Sequence, residues 1–319
     1  PSAGGAQSGL AAHPTDPDIA YSVSDSFYAD STIFQLDLST TPVTITDAIE
    51  LVDGDGMQLS VDLEGIDATL NADTGALEFW VATEGGIPSD AMVASTPNQI
   101  HLVAADGEVM QSIGLPADRQ ACWTASADDA TNTDRRNNRF GFEGITMAPD
   151  GSLWIAQQRE WDGYVGMVDG VDCTQFNDPA GQTNLWKYTP GEASMDAGTW
   201  EQYPYTLDDP AAAGGWVGLS EILAYGPDTF LVVERDNQLA GDAEVKRIYP
   251  VSVPAEPGAV TKGAALDLLP TMQAQNGLVL DKVEGAMVTI TGDLWISTDN
   301  DGVDDAPGES LLLNLGPSF

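Results

Sequence analysis

The chain has 319 residues, 42% of them hydrophobic, with 33 glycines and 19 prolines, a composition that suits a loop-rich all-β protein. Its 50 acidic and 11 basic residues give a formal net charge of −39, which argues against general nucleic-acid binding because no basic footprint for phosphates exists. No apolar run of about 18 residues occurs, so no segment is predicted to span a membrane. The charge favours divalent cations as partners, although an acidic surface kept for solubility in a salty medium accounts for most of these carboxylates.

Five hairpins of one design are predicted along the chain, each made of two short apolar runs around a turn. They start near residues 8, 63, 142, 219 and 283. In the clearest copy, residues 140–160, a Pro-Asp-Gly turn separates the two apolar runs. The two ends of a hairpin lie side by side, so Glu143 is expected close to Gln158, Arg159 and Glu160.

Further predicted strands follow each hairpin and complete a repeat. They lie at 32–38 and 42–51, 99–104 and 108–113, 184–188 and 199–205, 245–249 and 264–269, and 310–315. Four-stranded antiparallel units that follow one another head to tail indicate a β-propeller. Five blades are predicted; a sixth, degenerate or outside this sequence, stays open, and a β-sandwich is the alternative fold. Residues 1–7 are expected to be a flexible segment and 8–319 a single propeller domain.

Two polar insertions, at about 117–139 and 161–182, flank the central hairpin, and each carries one cysteine. In an exported protein Cys122 and Cys173 are expected to form a disulfide above the hairpin, with two unrelated thiols as the alternative. The first insertion ends in an arginine cluster, Arg135, Arg136 and Arg139. Such a cluster grips a phosphate or carboxylate, or balances charge in a surface loop.

Aligning the hairpins places acidic side chains in two columns, which a propeller brings to one mouth of its central channel. The start-of-hairpin column is Ser8, Glu64, Glu143, Ser220 with Glu221 beside it, and Glu284. The end-of-hairpin column is Asp25, Glu84, Gln158, Arg235 and Asp299. Carboxylates crowded in this way repel one another and are costly to bury unpaired.

A hard cation is the predicted counter-charge for this ring, because Arg159 and Arg235 are too few to balance it. Ca²⁺ suits an all-oxygen site. The predicted ligands are Asp25, Glu64, Glu84, Glu143, Glu221, Glu284 and Asp299. As the alternative, each glutamate caps backbone amides or pairs with an arginine. The run 299–305 also has the alternating oxygens of a calcium loop, but it lacks the EF-hand spacing, and a solvated acidic turn is equally consistent with it.

Several short motifs resemble the phytase-like family, which is also described as having esterase-like activity of phytase. They are Gly-Leu-Ala-Ala-His-Pro at 9–14, Leu-Glu-Gly-Ile at 63–66, Asn-Arg-Phe-Gly-Phe-Glu-Gly-Ile at 138–145, Leu-Val-Val-Glu-Arg-Asp at 231–236 and Val-Glu-Gly-Ala at 283–286. The resemblance runs in order from about residue 8 to 315. It implies a secreted bacterial β-propeller that depends on calcium and hydrolyses phosphoesters or esters.

Two functions are consistent with these observations. In the first, Ca²⁺ acts as Lewis acid, Glu143 and Glu284 are catalytic, and Arg139, Arg159 and Arg235 hold a small anionic or ester substrate. In the second, the chain is a non-catalytic, calcium-stabilised propeller used for binding, adhesion or assembly in a larger surface protein. Both place the protein outside the cytoplasm, as a secreted, cell-surface or periplasmic protein.

Overall fold

The structure, a computed structural model, describes residues 7–25, 30–86, 95–129, 131–191, 194–210, 215–276, 279–280, 282–299 and 310–317. The calcium-loop prediction at 299–305 lies largely outside these residues, and so do the side chains of Arg135 and Arg136. The described chain forms five antiparallel sheets of three to five strands, besides one two-stranded hairpin in an insertion. These sheets are the blades of one β-propeller, which confirms the predicted fold.

The first two blades are four-stranded meanders. Blade 1 contains β1 (Gln7–Ala12), β2 (Ile19–Ser24), β3 (Thr32–Asp37) and β4 (Thr44–Glu50). Blade 2 contains β5 (Asp62–Leu70), β6 (Leu77–Glu84), β7 (Gln99–Ala104) and β8 (Val109–Gly114). The insertion that follows forms helix α1 (Ala117–Asp128) and a 3₁₀ turn (Arg135–Arg139).

Blade 3 is interrupted by the second insertion. It contains β9 (Phe142–Met147) and β10 (Leu153–Gln157), then a small hairpin of β11 (Met167–Val168) and β12 (Val171–Asp172) with a 3₁₀ turn (Cys173–Phe176), then β13 (Gln182–Thr189) and, after a 3₁₀ turn (Met195–Ala197), β14 (Thr199–Thr206).

Blade 4 contains β15 (Val217–Gly226), β16 (Thr229–Asp236), a 3₁₀ turn (Ala240–Asp242), β17 (Lys246–Ser252), β18 (Thr261–Lys262) and β19 (Leu266–Asp267). Helix α2 (Leu269–Asn276) leads to blade 5, which contains β20 (Lys282–Val288), β21 (Leu294–Asp299) and β22 (Leu312–Gly316). The strand predicted at 264–269 is therefore reduced to the two residues of β19, and helix α2 begins at its end. Neither α-helix in the described chain has the length and apolarity needed to cross a bilayer.

The innermost strands close the ring with five blades. Each first strand contacts the first strand of the next blade, in the order β1, β5, β9, β15, β20, and β20 contacts β1. A sixth blade is therefore not needed for closure. Aromatic side chains fill the layers between blades: Tyr21 meets Phe79 at 4.7 Å between blades 1 and 2, and Trp154 meets Phe230 at 4.6 Å between blades 3 and 4.

Glycine lets the inner strands approach closely at the axis. A Cβ atom on Gly65 would lie 2.3 Å from the carbonyl oxygen of Glu143 in the next blade, and one on Gly285 would lie 2.7 Å from the Cβ of Leu10. Both distances are too short for real side chains. Close backbone packing around the channel thus explains the glycine of each Glu-Gly pair.

The two insertions are joined by the predicted disulfide between Cys122 and Cys173, which are both fully buried. The sequence pattern predicted no helix in the first insertion, although Pro116 before an alanine-rich segment with Asp118 in its first turn is typical of a helix start. Arg119 anchors α1 to blade 3, where its guanidinium lies 4.7 Å from the ring centre of Trp186.

Candidate functional site

A bulge in the inner strand aims the first acidic column at one mouth of the channel. The pairing register shifts at Glu64 in blade 2 and at Glu284 in blade 5, each directly before the close-packed glycine. A bulged residue leaves the regular ladder, so its side chain is re-aimed relative to its neighbours. The hairpin ends lie beside it, as expected, since Asp62 pairs with Glu84 and Lys282 pairs with Asp299.

The mouth is a cavity of about 210 Å³. It is lined by Glu64, Glu84, Arg139, Phe140, Gln158, Trp216, Arg235, Lys282 and Glu284. Its carboxylates come from blade 2 and blade 5. Its arginines and aromatic rings come from the end of the first insertion and from the start and end of the first hairpin of blade 4. The mouth therefore combines carboxylates of the predicted ring with cationic side chains, and the metal-ligand set stays a prediction.

The acidic half brings three carboxylates together. One carboxylate oxygen from each of Asp25, Asp62 and Glu64 lies within 4.8 Å of the other two. The hydroxyl of Ser8 donates to Oε2 of Glu64 at 2.7 Å and fixes its orientation. Ca²⁺ binds six to eight oxygens at about 2.3–2.6 Å, so oxygens this far apart fit around one ion.

Two buried carboxylates, Glu143 and Glu284, lie beside this trio and keep unsatisfied oxygens. Gln158 donates to Oε1 of Glu143 at 2.5 Å, and Arg235 donates to Oε1 of Glu284 at 2.5 Å. Both side chains are almost fully buried, yet Oε2 of each has no hydrogen-bond partner among the described residues. A buried polar atom without a partner is costly, and such atoms are often explained by a bound water or ion.

The cationic half is a stack of guanidinium groups and aromatic rings. Arg139 and Arg159 lie 4.9 and 4.6 Å from the ring centre of Phe140, and Arg159 and Arg235 lie 5.2 and 5.1 Å from that of Trp216. The two rings are themselves 5.3 Å apart. Stacking on these rings holds the three guanidinium groups in place, and Arg235 is also paired with Glu284. Arg159 also pairs with Glu160 at 3.3 Å and is not part of the cavity wall.

Burial raises the pKa of three carboxyl groups at the mouth. Burial, with the negative charges of Glu143 and Asp62 adding to it, raises the pKa of Glu64 well above its usual value. Burial and then the charges of Glu284 and Glu84 raise the pKa of Glu143 well above its usual value. Burial raises the pKa of Glu84 to about 8, against the opposing effects of the Gly141 amide, Arg139 and Lys282. A cation bound here would favour the ionised forms and release protons.

Glu221 lies apart from the mouth, at the axis of the propeller. It occupies the position in blade 4 that glycine holds in the other blades, and its Oε1 lies where a Cβ on Gly144 would be. The carboxylate accepts the amide N–H of Leu10 at 3.3 Å and of Ile222 at 3.0 Å, and burial still raises its pKa well above the usual value. Glu221 therefore lies between the inner strands of blades 1, 3 and 4, and it does not line the cavity at the mouth. Asp299 does lie at the mouth, paired with Lys282 at 3.3 Å.

The sequence profile of the phytase-like family, described as esterase-like activity of phytase, matches residues 2–302. This chain belongs to the phytase-like family. No curated protein sequence matches it significantly.

Solved structures similar to this phytase-like chain share little sequence with it. The Malassezia sympodialis allergen Mala s 1 is 10% identical, with a TM-score of 0.46 and coverage of 97% of this chain and 93% of the allergen. A GH43_1 enzyme from Xanthomonas citri is 12% identical, with a TM-score of 0.48 and coverage of 97% and 87%. Virginiamycin B lyase from Staphylococcus aureus is 12% identical, with a TM-score of 0.39 and coverage of 98% and 84%.

Two charged residues of the phytase-like mouth escaped the sequence analysis. Asp62 and Lys282 stand two positions before Glu64 and Glu284, in a column that was not aligned because its other members carry no charge. Residues two apart in a strand share a face, so this column could have been found by extending each hairpin start by two residues. Phe140 and Trp216 were also missed, because only the folded chain brings the end of the first insertion beside the start of blade 4.

Proposed function

We propose that the protein is a calcium-dependent hydrolase of small phosphoesters or esters that acts at this mouth. The observation that carries the proposal is that one mouth combines an oxygen trio suited to Ca²⁺ with cationic side chains on the cavity wall. The trio is Asp25, Asp62 and Glu64. The cations on the cavity wall are Arg139, Arg235 and Lys282.

The metal would be held chiefly by Asp25, Asp62 and Glu64, which offer only oxygen, as hard cations prefer. Bound there, Ca²⁺ would supply Lewis-acid polarisation of a substrate oxygen. Ser8 orients Glu64 from behind, in the way that outer-shell hydrogen bonds orient ligands.

The residues of the chain would divide the remaining work. Arg139, Arg235 and Lys282 bind the anionic group and orient the ester towards the acidic wall. The pair Glu143 and Glu284 holds a water at its unsatisfied oxygens and accepts a proton from it. The water oxygen then forms the new bond to phosphorus or to the acyl carbon, the ester C–O or P–O bond breaks, and the leaving alcohol takes up a proton.

Export is part of the proposal. The Cys122–Cys173 disulfide is stable in an oxidising compartment and uncommon in a reducing cytosol. A protein of charge −39 also benefits from a medium that contains salt and divalent cations.

Hydrolysis of an aryl phosphate, phytate and an aryl carboxylate ester, with Ca²⁺ and with EGTA, tests the proposal. We expect turnover of at least one substrate in Ca²⁺ and its loss in EGTA. Asp62→Asn and Glu284→Gln should lower it by about 100-fold or more, while Glu201→Gln in the outer strand β14 should not. A folded protein that binds Ca²⁺ but turns over none of these substrates would support the binding, adhesion or assembly module instead.

A further inference from the structure

Two buried indole groups grip the main chain on either side of Arg139. The Nε1–H of Trp123 donates to the carbonyl oxygen of Asn138 at 3.2 Å. The Nε1–H of Trp161 donates to the carbonyl oxygen of Phe140 at 2.9 Å. Both tryptophans are fully buried, so these bonds are shielded from water and hold residues 138–140 against the body of the propeller.

The two indoles come from different insertions that are locked together. Trp123 follows Cys122 in helix α1, and Cys122 is bonded to Cys173 of the second insertion. Arg119, one turn earlier in the helix, lies 5.4 Å from the ring centre of Trp161. The insertions therefore form one cross-linked unit, which also packs into the core between blades 2 and 3.

The gripped segment is also fixed by its neighbours, whereas the side chain it presents is not buried. Gly163 donates its amide to Oδ1 of Asn138 at 3.0 Å, and Gly141 donates its amide to Oε1 of Glu84 at 2.9 Å. Arg139 itself is exposed and lines the mouth. The position of an exposed arginine depends strongly on the backbone that carries it, because its long side chain is costly to order, and here the ring of Phe140 in the same segment also contacts the guanidinium.

We propose that Trp123 and Trp161 are positioning residues that aim Arg139 at the anionic group of a ligand in the mouth. The proposal rests on the proposed function, since it assumes that the mouth binds an anion. It gives the disulfide-linked insertions a role in ligand affinity, beyond the stability that a cross-link provides.

Three phenylalanine variants test it, because phenylalanine keeps a buried ring and removes the N–H donor. Trp123→Phe and Trp161→Phe each remove one of the two indole hydrogen bonds to the main chain. Trp154→Phe is the matched control: this indole is also buried in blade 3, but it donates to the hydroxyl of Ser152 at 3.1 Å, away from the mouth. Each variant is made in the native chain and again in an Arg139→Gln background.

The first measurement is amide hydrogen exchange of residues 137–142, which needs no ligand. We expect about ten-fold faster exchange in Trp123→Phe and Trp161→Phe and no change in Trp154→Phe. Unchanged exchange in the first two variants would contradict the claim that the two indole hydrogen bonds hold residues 138–140 in place. If either variant fails to fold, the Cys122→Ser, Cys173→Ser double variant loosens the same unit and is measured in its place.

The second measurement is the Kd of methylphosphonate, an anion with no ester to cleave, at saturating Ca²⁺. We expect each grip variant to weaken binding by about ten-fold, and to have no further effect in the Arg139→Gln background. An equal loss in that background would overturn positioning of Arg139. If the native protein binds no methylphosphonate at all, the anion site of the proposed function fails, and with it the role in ligand affinity, while hydrogen exchange still decides the grip.

Discussion

Replacing Asp62 with asparagine should stabilise the metal-free protein and reduce the further stabilisation that Ca²⁺ provides. Asp62 contributes one of three carboxylate oxygens that lie within 4.8 Å of one another, so the variant removes two of the three mutual repulsions. Two unit charges at this separation repel by about 3.5 kcal/mol at an effective dielectric constant of about 20. The trio is only half-buried and solvent screens it further, so we expect a net gain of about 1–2 kcal/mol in EGTA.

Thermal melting at fixed ionic strength and pH 8 measures this change. Unfolding entropy of about 2.1 cal/mol/K per residue over 319 residues gives about 0.67 kcal/mol/K, so the gain in EGTA corresponds to about 1.5–3 °C. Calcium at about 100 times its Kd should stabilise the native protein by about 2.7 kcal/mol, or about 4 °C, and the Asp62→Asn protein by much less. Sodium must replace Ca²⁺ at equal ionic strength, because a protein of charge −39 gains stability from any salt.

The calcium-induced rise in melting temperature should also become smaller as the pH is lowered, since protons compete with the metal for the carboxylates. Burial raises the pKa of Glu64, so acidification favours the protonated form of this ligand, and the calcium-induced rise in melting temperature should shrink. The reasoning is refuted if Asp62→Asn melts below the native protein in EGTA and still responds fully to Ca²⁺. It is also refuted if Glu201→Gln, a change in the outer strand β14, abolishes the response equally.

Two further predictions concern buried carboxylates. Arg235→Gln leaves Glu284 buried without its cation, so the free energy of unfolding measured in urea should fall by about 3–5 kcal/mol. Adding Glu284→Gln to the same chain should recover most of this loss. A double variant as unstable as the single one would contradict the prediction. Burial raises the pKa of Asp67 from 3.8 to about 6, against the amide of Met147. A raised pKa gives stability that is fully present below pH 3.8 and is lost as the pH rises through about 6. The stability of Asp67→Asn relative to the native protein should therefore increase across that interval, by at most about 3 kcal/mol. A constant difference from pH 4 to 7 would contradict this.

The repeat could be predicted from sequence because the ring imposes it. Each hairpin needs an apolar run on either side of a turn, and in four of the five blades the inner strand presents a glycine where neighbouring backbones approach, as Gly65 and Gly285 do. These demands are local and recur along the chain, so they leave a periodic trace. The helices α1 and α2 leave none, because each occurs once and fills a gap between blades.

The placement of Glu221 could not be predicted by residue type alone. It was grouped with the acidic column because it follows Ser220 and is a glutamate. The register shift in blade 4 falls between Leu219 and Glu221, so Ser220 is the bulged residue and Glu221 falls in the glycine column. A displacement of one residue along a strand sends a side chain to the other face, and here it separates a residue at the mouth from one at the axis.

The end-of-hairpin column explains why a symmetric fold can carry a directional site. Five equivalent strand ends meet at the mouth, and a column of identical carboxylates would repel itself. The chain instead runs from Asp25 and Glu84 through neutral Gln158 to Arg235, and returns to Asp299, which Lys282 balances. Gln158 and Arg235 each bind the glutamate that a uniform ring would leave charged and unpaired. Charge is therefore largely neutralised on the side of Gln158 and Arg235, and carboxylates are concentrated on the side of Asp25, Asp62 and Glu64.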